Sequence, residues 1–106
     1  MKRRAYIKGI ASYLPMQKLT NEELSKDYPD WDVQKIYSKT GISTRAIAGK
    51  NECVSDMAIA AAEKLFDKGI CRREEVEFLI ICTQSPDYFL PTTACIVQDR
   101  LKLPTS

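Results

Sequence analysis

The stretch SPDYFLPTTAC (residues 85–95) brings a thiol to a chemically suggestive place. An apolar run ends at Pro86 and Asp87, and Pro91, Thr92 and Thr93 then open an expected helix with Cys95 in its first turn. The dipole and free N–H groups of a helix start favour a thiolate, so Cys95 reads either as a nucleophile or as a small packing residue. A nucleophilic cysteine or serine is ordinarily activated by an adjacent base, most often histidine. The chain has no histidine, so that activation cannot be completed within these 106 residues.

The other thiols are Cys53, Cys71 and Cys82. No Cys-x-x-Cys pair occurs, and without histidine a zinc site is not expected. Four reduced, mostly buried thiols are the expectation in a reducing compartment, with Cys82 inert inside an apolar strand where burial raises a thiol's pKa. Lys and Arg number 16 against 14 Asp and Glu, and no basic stripe with interleaved aromatics appears, so nucleic acid is not expected as a partner. No apolar run reaches membrane-spanning length and no signal-peptide core follows the basic start. A cytoplasmic location with no membrane association is expected.

These candidates need elements to hold them. Residues 5–11 read as a strand that Pro15 follows. Thr20 and Glu23 have capping-box spacing, with Leu19 and Leu24 as a hydrophobic staple, which predicts a short helix to about Lys26. Asp caps, apolar positions at 33, 36 and 37, and Gly41 predict a second helix. Residues 42–48 read as a short extended segment, and residues 49–52 as a turn. From Ser55 to about Lys68, Met57, Ala61 and Leu65 with Ala58, Ile59, Ala62 and Phe66 predict the longest helix. Residues 78–82 are continuously apolar, as in a central strand covered on both faces, and Thr92 to Leu101 forms a last helix. The order predicts an α/β fold, a mixed sheet with covering helices.

Three stretches occur in order: IASYLP (10–15), KTGI (39–42) with Arg45, Ile47 and Ala48, and TQSPDY (83–88) with Pro91, Ala94 and Cys95. Together with the helix start at residues 54–57, they resemble the 3-oxoacyl-acyl carrier protein synthase III family, which has a thiolase-like fold. The resemblance runs over nearly all of residues 1–106 and implies the N-terminal part of such an enzyme, cut before its nucleophile. It implies an acyltransferase of fatty-acid biosynthesis that loads an acyl group from acyl-CoA onto a cysteine. Malonyl-acyl carrier protein then loses carbon dioxide and attacks the thioester. The family's cysteine, histidine and asparagine would all lie beyond Ser106, so no catalytic residue is expected here, and this fragment alone should be inactive. No cofactor or metal is implied, and a homodimer is. Cys95 matches a family cysteine that is not the nucleophile. The alternatives are a noncatalytic binding or dimerisation domain of the same fold and a thiolase-fold acyltransferase for another acyl chain.

Four residues carry the implied substrate contacts. The family stacks a tryptophan of this helical segment on the CoA adenine; counting back from Thr40 puts that position at Lys35, whereas the chain's single tryptophan is Trp31. Trp31 reads as that platform or as ordinary packing. Lys39 stands where the family usually has an arginine near the CoA phosphates, or it is a solvated cation at a helix end. Leu90 stands where the family often places a phenylalanine reaching across the dimer into the partner's acyl pocket, or it is interface core. Arg45 reads as structural or as rim electrostatics, and Asp87 and Tyr88 as holding the loop that carries Leu90.

Overall fold

A computed structural model describes residues 2–105, which form two compact units, one of Leu14–Asn51 and one of the residues flanking it on both sides. The 14–51 unit contains β1 (Gln17–Thr20), α1 (Asn21–Asp27), α2 (Val33–Thr40) and β2 (Thr44–Ile47). Its strands pair antiparallel with Leu19 opposite Arg45 and Thr20 opposite Thr44. Thr20 ends β1 and caps α1 at once. Its hydroxyl accepts from the Glu23 N–H at 3.1 Å, while its own N–H donates to Glu23 Oε2 at 2.8 Å. This reciprocal box satisfies two donors that a helix start otherwise leaves free. At α2, Asp32 Oδ1 accepts from the Lys35 N–H at 2.9 Å, and Gly41 closes the helix in the left-handed region at φ 68°. Only glycine enters that region without a steric cost.

The flanking unit contains α3 (Val54–Asp67), a 3-10 turn (Arg73–Glu75) and α4 (Thr93–Leu101). Val97, Leu101 and Leu103 are its buried apolar centre, packed against Ala58, Ile59, Ala62 and Phe66 of α3 and against Val76, Leu79 and Ile81. Ala58 and Ala62 lie one turn apart, which keeps that face of α3 low. Lys102 takes the left-handed conformation at φ 56° and turns Leu103 back onto the core, with the Leu103 N–H on Gln98 O at 3.0 Å. Arg73 joins α3 to the end of α4. Its guanidinium pairs with Glu63, lies over the Phe66 ring at 4.6 Å, and donates from Nε to Leu101 O at 3.1 Å. Gly9 sits so near Ile70 that a Cβ there would lie 2.6 Å from its Cδ1.

The helices fall where the sequence places them, but two expected strands do not form. Residues 5–11 and 78–82 belong to no helix or strand, and the sheet among the described residues is the two-stranded β1–β2 pair. A strand exists only through a partner, and no described residue pairs with either segment. The strand periodicity is nonetheless present in residues 78–82. Leu79 and Ile81 are half-buried against the core while Phe78, Ile80 and Cys82 are exposed, the alternation of a one-faced strand rather than a doubly covered one. Cys82 is therefore exposed rather than buried as expected. The four thiols are free, but Cys53, Cys82 and Cys95 are exposed and Cys71 half-buried, against the expectation of mostly buried ones. No described helix is long and apolar enough to cross a membrane.

Candidate functional site

The 14–51 unit contains a cavity of about 440 Å³ lined by residues from Leu24 to Arg45. Its construction begins at the end of α1, where the Tyr28 N–H closes on Leu24 O at 3.0 Å and the Trp31 N–H on Tyr28 O at 2.9 Å. The Ser25 hydroxyl donates to Trp31 O at 2.7 Å, so the backbone carrying the indole is tied to α1. The rings of Tyr28 and Trp31 stack with centroids 4.6 Å apart and planes 18° from parallel. Such a pair holds the indole in one orientation beyond what area burial alone provides. Asp32 then caps α2, and Lys35 and Lys39 follow four residues apart, on one face of that helix.

Trp31, Lys35 and Lys39 therefore line one cavity, with Leu24, Ile36 and Thr40 as its less polar wall and Asp30 and Asp32 as its acidic groups. The alternative raised by the sequence, Trp31 or Lys35 at the stacking position, ends with both side chains lining the same space. An aromatic plate beside two ammonium groups suits a planar heterocycle joined to an anion. Arg45 is the lining residue whose role the sequence left general. Its Nη2 donates to Asn21 Oδ1 at 2.7 Å, and Asn21, buried, donates from Nδ2 to Ile42 O at 2.8 Å. Position 45 reaches the cavity through the strand register, which no local motif encodes.

Leu90 does not line this cavity. It lies in the flanking unit, 81% exposed beside a Phe89 that is 99% exposed. The loop holding them is pinned at Asp87, whose carboxylate accepts from the Ser55 N–H at 3.0 Å and the Ser55 hydroxyl at 2.5 Å. The Asp87 N–H in turn donates to Thr93 Oγ1 at 3.2 Å. Ser55 and Thr93 are buried, so Asp87 does hold the Leu90 loop, as its place in the sequence suggested. Nearby, Asp56 is held below the usual carboxylate range, first by the Cys53 N–H it accepts and then by Arg100. Cys95 is exposed at the start of α4, where the Thr92 hydroxyl donates to its Sγ at 3.3 Å. The chain has no histidine to activate it, and Cys95 lines a shallow pocket with Glu77, Phe78, Leu79 and Leu103.

No protein-family model matches the chain. Among curated proteins it is 39% identical over 103 residues to the beta-ketoacyl-[acyl-carrier-protein] synthase III of Xanthomonas oryzae. That likeness covers 95% of the chain and 31% of the relative, so the chain spans about a third of its length. A crystal structure of a 3-oxoacyl-(acyl-carrier-protein) synthase III matches at 51% identity and a TM-score of 0.83, over 97% of this chain and 31% of that one. OleA of Xanthomonas campestris matches at 28% identity and a TM-score of 0.77, over 93% of this chain and 31% of that one. The chain is thus a homologue of part of beta-ketoacyl-acyl carrier protein synthase III, and its fold is part of a thiolase fold.

Proposed function

We propose that the chain is the N-terminal portion of a 3-oxoacyl-acyl carrier protein synthase III and that the cavity of the 14–51 unit receives the nucleotide end of acyl-CoA. The observation that carries the reading is the convergence of Trp31, Lys35 and Lys39 on one space, in a chain homologous to that enzyme. The indole would take the adenine face and the two lysines the phosphates. In the reaction an acyl group passes from CoA to a cysteine thiolate, and malonyl-acyl carrier protein loses carbon dioxide to form the carbanion that attacks the thioester. That chemistry needs a histidine, and the chain has none, so the chain by itself binds but does not condense. Titration calorimetry with CoA tests the reading. Binding is expected, with Trp31→Ala and Lys39→Gln each weakening it about tenfold. CoA binding unaffected by both changes would overturn the assignment.

The same reading makes the enzyme cytoplasmic and homodimeric, with Leu90 entering the partner's acyl pocket. The exposed Phe89 and Leu90 on a loop pinned by Asp87 support the interface role of Leu90. Leu90→Asp would bury an unpartnered carboxylate and is expected to weaken self-association by at least about tenfold, read by sedimentation across a dilution series. An unchanged monomer at every concentration, with or without the substitution, would remove Leu90 from an interface.

A further inference from the structure

Arg45 has an unusual electrostatic position. Its Nη1 is shut off from solvent and has no hydrogen-bond partner, the sole buried side-chain nitrogen or oxygen so left among the described residues that are not exposed. Its Nη2 is held by the amide oxygen of Asn21, which is neutral. None of the ion pairs among the described residues includes Arg45, whereas Arg72, Arg73 and Arg100 each face a carboxylate. Arg45 as a whole is half-buried, so this end of the guanidinium has lost its water, no ion pair offsets the charge, and the residue lines the cavity. A partly desolvated cation without an ion-pair partner is costly unless something opposite in sign lies near it, and its field is less screened than that of an exposed ammonium.

We infer that Arg45 makes the cavity selective for the phosphorylated form of its ligand. Lys35 and Lys39 are exposed, so solvent screens them, and the acidic Asp30 and Asp32 line the same space. Two screened cations against two carboxylates leave the cavity close to electrically neutral without Arg45. The guanidinium is the group that tips the balance. It acts through its field and through the fixed orientation that Asn21 imposes, as a positioning residue rather than one that touches the phosphate. The inference rests on the CoA reading for the identity of the ligand and not for its charge.

The test compares the affinity of adenosine 3′,5′-bisphosphate with that of adenosine, by calorimetry at one ionic strength, with pyrophosphate as a third probe. The bisphosphate preference is expected to fall about tenfold in Arg45→Gln, to be largely restored in Arg45→Lys, and to fall by the same factor when Arg45→Gln is made in a Lys35→Gln/Lys39→Gln background, whatever the lysines themselves contribute. Adenosine affinity should not move in Arg45→Gln or Arg45→Lys. Arg45→Met, uncharged and of similar reach, repeats the test if Arg45→Gln does not fold. A preference unchanged by loss of the Arg45 charge, alone or in the lysine background, assigns selectivity elsewhere and overturns the inference while leaving CoA binding intact. Pyrophosphate binding that depends on Arg45, with no binding of CoA or adenosine, would uphold the inference and overturn the CoA reading. Binding of none of the probes would overturn both.

Discussion

The two units are held by different kinds of contact. In the 14–51 unit most hydrogen-bonded side chains reach only a few residues along the chain: Thr20 with Glu23, Asp32 with Lys35, Ser25 with Trp31, Thr40 with Ile36. The exceptions, Asn21 to Ile42 and Arg45 to Asn21, run along the strand pair. The flanking unit depends on distant partners instead. Asp87 meets Ser55, Arg100 meets Asp56, and Lys64 donates to Ser12 O at 2.7 Å across 52 positions. Local contacts cost little chain entropy to close, so a small sheet and two capped helices can shape a cavity without a large core. Distant contacts need apolar burial to support them, and there the burial is concentrated in Val97, Leu101 and Leu103.

Leu101→Ala is the substitution that should separate the regimes most strongly. It removes the centre of the flanking core and is expected to cost about 2–5 kcal/mol in urea denaturation. A loss below about 1 kcal/mol, the cost of a modest surface change, would mean that burial does not govern this unit. In the 14–51 unit the matching change is Thr20→Ala, which deletes a cap and should cost about 1 kcal/mol by the same measurement. A cost as large as that of Leu101→Ala would show the cap to be no local device. The smallest effect concerns pH. Asp56 is depressed below its ordinary 3.8, so its contribution is present above that value and is lost as pH falls through the lower folded one. Asp56→Asn should lower the melting temperature near neutrality and progressively less on acidification. A difference that stays constant with pH would place the effect in packing rather than charge.

What the sequence disclosed follows the same division. The Thr20–Glu23 box, the Asp32 cap and Gly41 are short-range signals, and each marks the helix boundary it was expected to mark. Strand β1 was missed because Gln17 and Lys18 carry no apolar alternation; it is a strand through its register with residues 44–47. Residues 5–11 and 78–82 have the composition of strands without described partners, so composition outran pairing. At the site, Trp31, Lys35 and Lys39 came to notice through the family resemblance; Lys35 and Lys39 share a face of α2, and Trp31, just before that helix, lines the same cavity. The unpaired charge of Arg45 was not, since it depends on Asn21, a residue 24 positions earlier.

The stack of Trp31 on Tyr28 also gives the protein an optical handle. Trp31 is the chain's single tryptophan, half exposed, and it lies in the cavity wall against a tyrosine ring. Indole emission from this chain is therefore not an average over several sites but the signal of one place. A heterocycle entering the cavity alters the solvent and the ring contacts of that single fluorophore, so occupancy is readable by light from the unmodified protein, with no label attached.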